Sequence, residues 1–522
     1  MDEQERGFSR REMLRLLGTG AAAALLPGLF PDRAGAGTPH FDRAKGPGII
    51  FVVGDGMCFG VIQAMHALRT GVFGEKDSRL HARLRDPSSS VGLVTTASLS
   101  SVVTDSAPAS TAWSTGVKTA NRYLAVLPDG RKLTTIFELV KPRGIATGLV
   151  TTTRVTHATP AAWVSHQPHR DNEDEIAAEY LAFRPDVLLG GGRNHFDPKK
   201  RKDGRDLLAE FGQAGYDIVP DRAALNAASA VAEPLFGVFA PSHIAYYVDR
   251  LNDQALSGQP SLPEMTEAAL RRLAQNPRGF VLQVEAGRID HACHSNDAWS
   301  AILDTVELDD TLAVIDSFLK ANPRTLVIVT SDHGTAGFGV NGTGPDYNDA
   351  TSALRSYRAG KASFEALIKR MKGKDVSGIR DLVAEATGFP IALEDADLIW
   401  RAMQSGYQPF PGDYVYQPDN TIGAVLAHIV YPPKSPPTIR QGNVGFTSGN
   451  HTAENQMLLA YGHKARELGV GRLVDNTALY GVMCRFFGVS HANPAMTLAE
   501  AEPYLRERRK LYAERPVGPF MG

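Results

Sequence analysis

The chain has 522 residues, enough for one large core or for two to three ordinary domains. Hydrophobic residues make up 43% of it and charged residues 21%, which is ordinary for globular proteins, and the formal net charge is -2. Because no Lys/Arg excess is available to neutralise phosphates, this balance argues against a nucleic acid as a specific partner.

The first 36 residues are typical of an export signal. The motif SRR at 9–11 precedes a modestly apolar Ala/Leu stretch, and an A-x-A-like cleavage pattern follows at 34–36. The apolar stretch is too short for a membrane-spanning helix, and no cysteine directly follows it to carry a lipid. We therefore predict a twin-arginine signal peptide over 1–36, no membrane anchor, and a periplasmic or secreted mature protein of residues 37–522. The alternative is an amphipathic helix with a chance arginine pair.

Near-continuous apolar runs recur along the chain and predict buried strands. They are GIIFVVGDG (48–56), ATGLVTTT (146–153), DVLLGGG (186–192), GFVLQVEAG (279–287) and TLVIVTSDHG (325–334). Runs of this kind are typical of parallel strands covered on both faces. A long amphipathic pattern over 296–322 predicts a helix that leads into the last of these strands. We predict an α/β fold with a large, mostly parallel central sheet flanked by helices on both faces.

The segment from about 342 to 443 breaks this alternation. It is polar and partly helical, and it ends in aromatic and proline-rich loops that contain Tyr407, Phe410, Tyr414 and Tyr416. We interpret it as an insertion on the sheet, either a cap or crown-like segment over the site or a contact between subunits.

Polar side chains follow the predicted strands at their carboxyl ends. They are Asp55 after the first strand, Glu285, Asp290 and His294 at and after the fourth, and Asp332 and His333 after the last. Ligands of open α/β sheets bind just outside the carboxyl ends of the strands, so we expect these groups to converge. Carboxylates with imidazoles suit zinc or a similar ion, and an oxygen-only subset suits magnesium. With His451 as a further imidazole, the set predicts a two-metal site for in-line displacement.

Seven motifs give the chain a specific resemblance. They are VVGDGM, VTDSAPASTAWSTGVKT, HATPAAWVSHQPHR, LGGGRNHF, VEAGRIDHACH, VIVTSDHGTAG and TSGNHTAENQMLLAYG. In this order and context they resemble the alkaline phosphatase family, from about residue 48 to 485, with the 342–443 segment matching poorly. The resemblance implies a phosphoric monoester hydrolase that acts on small phosphate monoesters, with two Zn²⁺ and one Mg²⁺ per chain and a phosphoserine intermediate. Family members are commonly dimers, so it also implies a homodimer, although the sequence shows no interface.

The resemblance also implies which side chains hold the ions. They are Asp290, His294 and His451 for one zinc, Asp332, His333 and Ser106 for the second, and Asp55, Thr159 and Glu285 for the magnesium, with Asp55 shared with the second zinc. Ser106 matches the nucleophile of the family, and Arg170 matches the arginine that clamps the phosphate.

The residues around Ser106 suit this role. No histidine lies beside Ser106 in the sequence, but a metal ion on its oxygen would lower the pKa of the hydroxyl. Small neighbours leave room for a phosphoryl group, and Pro108 is tolerated in the first turn of a helix whose N-terminus favours anions. Asp105 is placed to orient Arg170, whose planar fork matches two phosphate oxygens.

Two histidines depart from the enterobacterial form of the family. His157 and His291 stand where that form carries Asp and Lys, whereas the animal enzymes carry His at both positions. Two interpretations stay open. An imidazole at the third site would admit zinc or another transition ion in place of magnesium, or both histidines only form hydrogen bonds around it.

Three other functions compete with this one. A phosphodiesterase of the same superfamily usually has a threonine nucleophile and lacks the arginine clamp, so Ser106 and Arg170 favour a monoester. A sulfatase is disfavoured because DSAPAST lacks the C/S-x-P-x-R pattern. A non-catalytic exported protein that binds phosphate or metal is disfavoured because every ligand position is retained together with the nucleophile.

Overall fold

The computed structural model describes residues 39–228, 233–404, 418–426, 429–430, 438–439 and 443–513. The predicted signal peptide lies outside these residues, as do the aromatic side chains at 407–416. From Phe41 onward the described chain belongs to one unit. Within the described ranges, no helix combines the length and the apolar character that crossing a bilayer requires.

A ten-stranded sheet forms the centre of this unit. Its strands are β1 (Gly48–Gly54), β2 (Ser90–Thr95), β3 (Ala146–Arg154), β4 (Val187–Gly191), β5 (Asp217–Ile218), β6 (Leu235–Val238), β7 (Phe280–Ala286), β8 (Thr325–Thr330), β9 (Gln456–Gly462) and β10 (Leu473–Asp475). Their order across the sheet is β10-β2-β9-β8-β1-β7-β3-β4-β6-β5, and β9 alone of these ten runs antiparallel to its neighbours. The predicted mostly parallel sheet is confirmed, and the five predicted runs are β1, β3, β4, β7 and β8.

Helices connect and cover the strands. They are α1 (Phe59–Ala67), α2 (Arg79–Arg85), α3 (Ser106–Thr115), α4 (Ile136–Val140), α5 (Ala158–Ala161), α6 (Glu173–Phe183), α7 (Leu207–Gln213), α8 (Arg222–Ala227), α9 (Tyr247–Asn252), α10 (Leu262–Leu273), α11 (Arg288–His294), α12 (Ala298–Ala321), α13 (Ala350–Ser356), α14 (Phe364–Met371), α15 (Val376–Thr387), α16 (Leu393–Ala402), α17 (Asp419–Leu426), α18 (Ala478–Phe487) and α19 (Leu498–Ala513). Two-residue strands pair outside the main sheet, among them Gly334–Thr335 with His451–Thr452.

Both faces of the sheet are buried. On β1, Phe51 packs against Trp113 of α3 and against Trp163, with ring centroids 5.3 and 5.4 Å apart. On β7, Phe280 packs against Phe318 of α12 at 5.9 Å. In the sheet, Phe280 lies opposite Gly48, which is three residues before Phe51 on β1. Because successive residues of a strand face opposite sides, Phe280 and Phe51 point to opposite faces, and so do their two clusters.

The helix predicted over 296–322 is present as α12, but the prediction that it is amphipathic is wrong. Most of its residues are buried, because α1, α2, α9, α10 and α11 all pack against it. Two of its acidic residues are buried and pair with buried arginines. Glu307 pairs with Arg250 at 2.5 Å, and Asp309 pairs with Arg69 at 2.8 Å. Charged residues therefore did not mark a solvent-facing side of this helix.

The segment predicted as an insertion contains α13 to α17. Its helices α14 to α17 contribute to an apolar cluster of their own, which includes Leu367, Ile379, Val383 and Ile422. Two buried acids of the main body accept hydrogen bonds from the start of α14. The Ser363 hydroxyl donates to Asp249 at 2.6 Å, and the Phe364 N–H donates to Asp297 at 2.8 Å. The segment is thus joined to the main body by polar contacts in its described part.

Candidate active site

The central strands β1, β7 and β8 bring three chain segments to one edge of the sheet. They are adjacent and parallel, and Val53 pairs with both Glu285 and Thr330. Asp55 comes directly after β1, and Asp332 lies two residues beyond the end of β8. Because parallel strands end at the same edge, these acids meet there, and all of them are buried.

One imidazole nitrogen faces three oxygens at this edge. His333 Nε2 lies 3.1 Å from Asp332 Oδ2, 3.2 Å from Ser106 Oγ and 3.6 Å from Asp55 Oδ1. Among the described residues, these two carboxylate oxygens have no hydrogen-bond partner. Buried unpaired oxygens converging on an imidazole and a hydroxyl are a donor set that suits a divalent cation.

Asp290, His294 and His451 form a second group. His294 Nδ1 donates to the Gly449 carbonyl at 2.6 Å, and His451 Nδ1 donates to the Thr104 carbonyl at 2.8 Å. Both Nε2 atoms are therefore acceptors, yet they lie 2.9 Å apart, and His294 Nε2 is 3.3 Å from Asp290 Oδ2. A cation between two facing lone pairs beside a carboxylate would stabilise this arrangement, so this group suits a metal ion.

A third group lies on the other side of Asp55. One ligand atom from each of Asp55, His157 and Glu285 lies within 4.8 Å of the others. The Thr159 hydroxyl donates to Asp55 Oδ2 at 3.4 Å, and Glu285 Oε1 is buried without a hydrogen-bond partner in the described chain. Arg170 Nη2 donates to His157 Nε2 at 2.7 Å, so the lone pair of this ring is already used.

The acids of the site are not neutralised by the protein alone. Burial raises the pKa of Asp55 well above its ordinary value, and the neighbouring Asp332 carboxylate raises it further. Burial also raises the pKa of Glu285, to about 7. For Asp332 and Asp290, burial opposes ionisation, but the neighbouring histidines outweigh it and lower both pKa values. Divalent cations would stabilise this concentration of buried negative charge.

Ser106 is the first residue of α3. The Asp105 carboxylate caps the helix by accepting the Ala107 N–H at 2.8 Å, and Pro108 lies in the first turn, where a missing N–H costs nothing. Ser106 is only 1% exposed, and its hydroxyl faces His333, a neighbour 227 positions away in the sequence. The start of the helix therefore directs the serine hydroxyl and the positive end of the helix dipole toward the metal-ligand groups.

Arg170 is held beside Ser106 by a short polar network. Its Nη1 donates to Asp105 Oδ1 at 3.2 Å, opposite the contact with His157. Arg122 bridges the two residues through its backbone, since its N–H donates to Asp105 Oδ2 at 2.6 Å and its carbonyl accepts the Arg170 N–H at 2.8 Å. Arg122 has a positive φ of 75°, a conformation that non-glycine residues rarely adopt.

The structure brings together every site residue named from the sequence, and it adds some that the sequence did not indicate. His291, which the sequence did indicate, lies beside His157 with ring centroids 5.4 Å apart. The added residues surround it: Arg288 Nη1 lies 2.8 Å from His291 Nδ1. His243 packs 4.4 Å from the His291 ring, and the Thr151 hydroxyl donates to Glu285. The motif VEAGRIDHACH already contains Arg288, but nothing in the sequence showed that this arginine is buried.

Two other histidines make local contacts elsewhere in the fold. His166 contacts the Ala125 carbonyl and Glu138, and His195 contacts Asp174, so both form local structural bonds. The three cysteines of the chain are unpaired and buried.

Comparisons with known proteins agree with this geometry. A family model described as alkaline phosphatase matches residues 47–489. The chain is 32% identical to alkaline phosphatase 4 of Bacillus subtilis (strain 168), over 86% of this chain and 92% of that protein. It is 34% identical to streptomycin-6-phosphate phosphatase of Streptomyces griseus, over 60% of this chain and 79% of that protein. The crystal structure of Thermus thermophilus alkaline phosphatase superposes with a TM-score of 0.82 at 38% identity, covering 91% of this chain and 98% of that one. The chain therefore belongs to the alkaline phosphatase family, and it is a hydrolase of phosphate monoesters with residue groups that can bind divalent metal ions.

Proposed function

We propose that the chain is an exported phosphate-monoester hydrolase that acts through a phosphoserine on Ser106 and releases inorganic phosphate. The observation that supports this best is the meeting of three features at one sheet edge. They are a serine at a helix N-terminus, an arginine fixed by Asp105, and three groups of side chains that could hold metal ions. The relative named for streptomycin-6-phosphate favours esters of small alcohols as the substrate class.

Each ion has a set of side chains to hold it in this proposal. Asp290, His294 and His451 would hold one Zn²⁺, Asp332, His333 and Ser106 the second, and Asp55, Thr159 and Glu285 the Mg²⁺. Ions bound there would supply Lewis-acid chemistry, which lowers the pKa of a coordinated hydroxyl and stabilises a departing oxygen. The third set offers mainly oxygens, and Arg170 takes the His157 lone pair, which favours magnesium over a transition ion.

The chain's own residues position and transfer the phosphoryl group. Arg170 binds two of its non-bridging oxygens while Asp105 holds the guanidinium in plane. The Ser106 oxygen attacks phosphorus in line, so that the serine–phosphorus bond forms while the ester bond to the alcohol breaks. The positive end of the α3 dipole stabilises the charge on the phosphoryl oxygens. Water then displaces the serine oxygen, and two in-line displacements give net retention at phosphorus.

One assay separates this function from the phosphodiesterase alternative. We expect metal-replete protein at alkaline pH to hydrolyse p-nitrophenyl phosphate much faster than bis-p-nitrophenyl phosphate. A chelator should abolish this activity. A preference for the diester would support the phosphodiesterase instead.

The clamp can be tested by replacing Arg170 with lysine. Since lysine cannot grip two oxygens at once, we expect kcat/KM for the monoester to fall by roughly ten- to a hundredfold. The fall for the diester should be smaller, because a diester presents one charge fewer to the clamp. Steady-state kinetics on both substrates measure this, with Arg324→Lys, at an exposed arginine, as the control. An equal fall on both substrates would contradict the clamp.

Export is proposed from the predicted twin-arginine signal at residues 1–36. Replacing both Arg10 and Arg11 with lysine should keep the protein inside the cell, because the export machinery reads the arginine pair. Cell fractionation measures this, and an unchanged periplasmic or secreted fraction would contradict the proposal. The homodimer stays a prediction that light scattering on the purified protein would test.

A further inference from the structure

Asn420 is a buried asparagine of the inserted segment that contacts the chain beside the second group, formed by Asp290, His294 and His451. It lies in the first turn of α17, and only 1% of its surface is exposed. Its Nδ2 donates to the His294 carbonyl at 2.8 Å and to Asn296 Oδ1 at 2.9 Å. A side chain of the insertion thus bonds directly to the backbone of a candidate metal ligand.

Asn296 continues this contact to the loop that precedes His451. Its Nδ2 donates to the Ser448 carbonyl at 2.9 Å and to the Cys293 carbonyl at 3.2 Å. Asn296 is 4% exposed and has a positive φ of 56°, a conformation that asparagine adopts more readily than most residues. The two side chains therefore link α17 to the end of α11 and to the loop 448–450. Together they form the Asn420–Asn296 relay.

The acceptors fix the orientation of both amides in the relay. Each amide nitrogen carries two N–H donors, and the two nitrogens face four oxygens, three of the backbone and one of Asn296. Turning either amide over would place an oxygen against an oxygen. His294 is the last residue of α11, where carbonyls lack partners within the helix, so Asn420 satisfies one of them. All four donor hydrogens are used, and the relay is complete.

The backbone packs closely around the relay. A Cβ atom at Gly423, three residues after Asn420, would lie only 2.7 Å from Asn296 Cβ, so a glycine is needed for this approach of α17. A Cβ atom at Gly449 would lie 3.2 Å from the His294 carbonyl oxygen and 3.3 Å from Asn420 Nδ2. The Gly449 carbonyl also accepts the His294 Nδ1 hydrogen at 2.6 Å. Thus α17, the end of α11 and the loop 448–450 meet at Asn420.

The imidazoles of the second group depend on the spacing of these same segments. His294 ends α11 and His451 follows the loop 448–450, and their Nε2 atoms lie 2.9 Å apart. Zinc binds histidine nitrogens at about 2.0–2.1 Å, so a small shift between the two segments would pull one ligand away. Hydrogen bonds that orient metal ligands typically change metal affinity by about 10- to 100-fold.

We propose that Asn420 and Asn296 are positioning residues that hold His294 and His451 at the spacing that one metal ion needs. The inserted segment thereby determines how firmly the second group retains its ion. Because binding linkage is reciprocal, the ion in turn holds α17 against the main body. This inference rests on the proposed role of Asp290, His294 and His451 as the ligands of one zinc.

Zinc release tests the relay without using activity. Zinc-loaded protein is mixed with an excess of a chromogenic chelator, and the release phase that is absent in His451→Ala belongs to the second group. We expect this phase to become roughly tenfold faster in Asn420→Ala, while the other phases keep the rates of the parent. A general loss of stability would instead speed up every phase.

Asn443→Ala is the matched control for this experiment. Asn443 is a similarly buried asparagine at the end of the inserted segment, and it also donates to two carbonyls, those of Asn341 and Ala350. Its replacement should leave the zinc phase of the second group unchanged. An unchanged phase in folded Asn420→Ala, or an equal acceleration in Asn443→Ala, would overturn the positioning role.

If Asn420→Ala does not fold, Asn296→Gly decides. Glycine suits the positive φ at this position, and the substitution removes the donors to Ser448 and Cys293 together with the acceptor for Asn420. We expect zinc release from the second group to become severalfold faster, because Asn420 still holds the His294 carbonyl. Release at the rate of the parent would overturn the relay.

Hydrogen exchange in the parent measures the reciprocal effect. Zinc added to metal-free protein should slow amide exchange in α17 by a larger factor than in α7, which packs beside the edge strand β5. A gain in global stability alone would slow both helices equally. Equal slowing would therefore overturn the link between α17 and the ion.

The two proposals fail in different ways. If no release phase of the parent disappears in His451→Ala, the assignment of the zinc ligands is wrong, and the positioning role falls with it. If that phase is present but does not respond to Asn420→Ala, only the positioning role is overturned, even when the parent forms a phosphoserine on Ser106. A parent that hydrolyses monoesters without any phosphoserine would instead overturn the proposed mechanism, whatever the rate of zinc release.

Discussion

Replacing Ser106 with alanine is expected to lower kcat for a phosphate monoester by at least roughly a thousandfold, because the nucleophile of a covalent mechanism has no substitute. The ligands Asp332 and His333 remain in place in this variant, so metal content should stay close to that of the parent. Acid quench of the parent during turnover should trap a phosphoserine that mass spectrometry locates at Ser106. The alanine variant should show no such adduct.

Ser114 provides a matched control for this experiment. It lies in the same helix, is equally buried, and donates to the Ala162 carbonyl at 2.7 Å. Ser114→Ala loses a buried hydrogen bond, which costs about 1 kcal/mol of stability, but it should keep the parent's rate and its phosphoserine. A Ser106→Ala protein that retains a tenth of the activity would show that another group, or water, attacks phosphorus directly.

The parts of the fold that the sequence predicted are those buried on both faces. The strands β1, β3, β4, β7 and β8 are buried along nearly their whole length and contain long apolar runs, so no periodicity was needed to recognise them. The strand β2 lies beside the edge strand β10 and alternates between half-buried and exposed residues, and it was not predicted. For the helix α12, the charged residues predicted a solvent-exposed side that the structure does not show. Glu307 and Asp309 of this helix are buried and pair with arginines from distant segments.

The sequence predicted the site residues that lie at strand ends. It did not predict the contacts between side chains that are distant in the sequence. Asp55, Glu285 and Asp332 could be placed together because parallel strands end at one edge. The approach of His333 to Ser106 spans 227 positions and depends on how the start of α3 packs. The contact between Arg288 and Glu365 depends on the docking of the inserted segment, for which the local sequence holds no signal.

Removal of the divalent ions is expected to abolish activity and also to destabilise the fold. A ligand present at a hundred to a thousand times its Kd stabilises the native state by about 3–4 kcal/mol, and that contribution disappears in a chelator. The remaining protein should become less stable as pH rises. The pKa values of Asp55 and Glu285 are raised in the fold, so their contribution is fully present below the unfolded pKa near 4 and is lost as pH rises to about 7 and beyond.

Asp55→Asn should therefore change stability in opposite directions with and without metal. In metal-free protein at pH 8 the substitution removes a buried charge that faces Asp332 and Glu285, so the melting temperature should rise above that of the parent. In protein supplied with zinc and magnesium it removes a shared ligand, so the stabilisation by metal should shrink. Calorimetry on both forms measures this, with Asp381→Asn, at an exposed acid paired with Arg380, as the control. A loss of stability in both forms would show that Asp55 supports the fold by itself, and the metal-site assignment of this carboxylate would then be wrong.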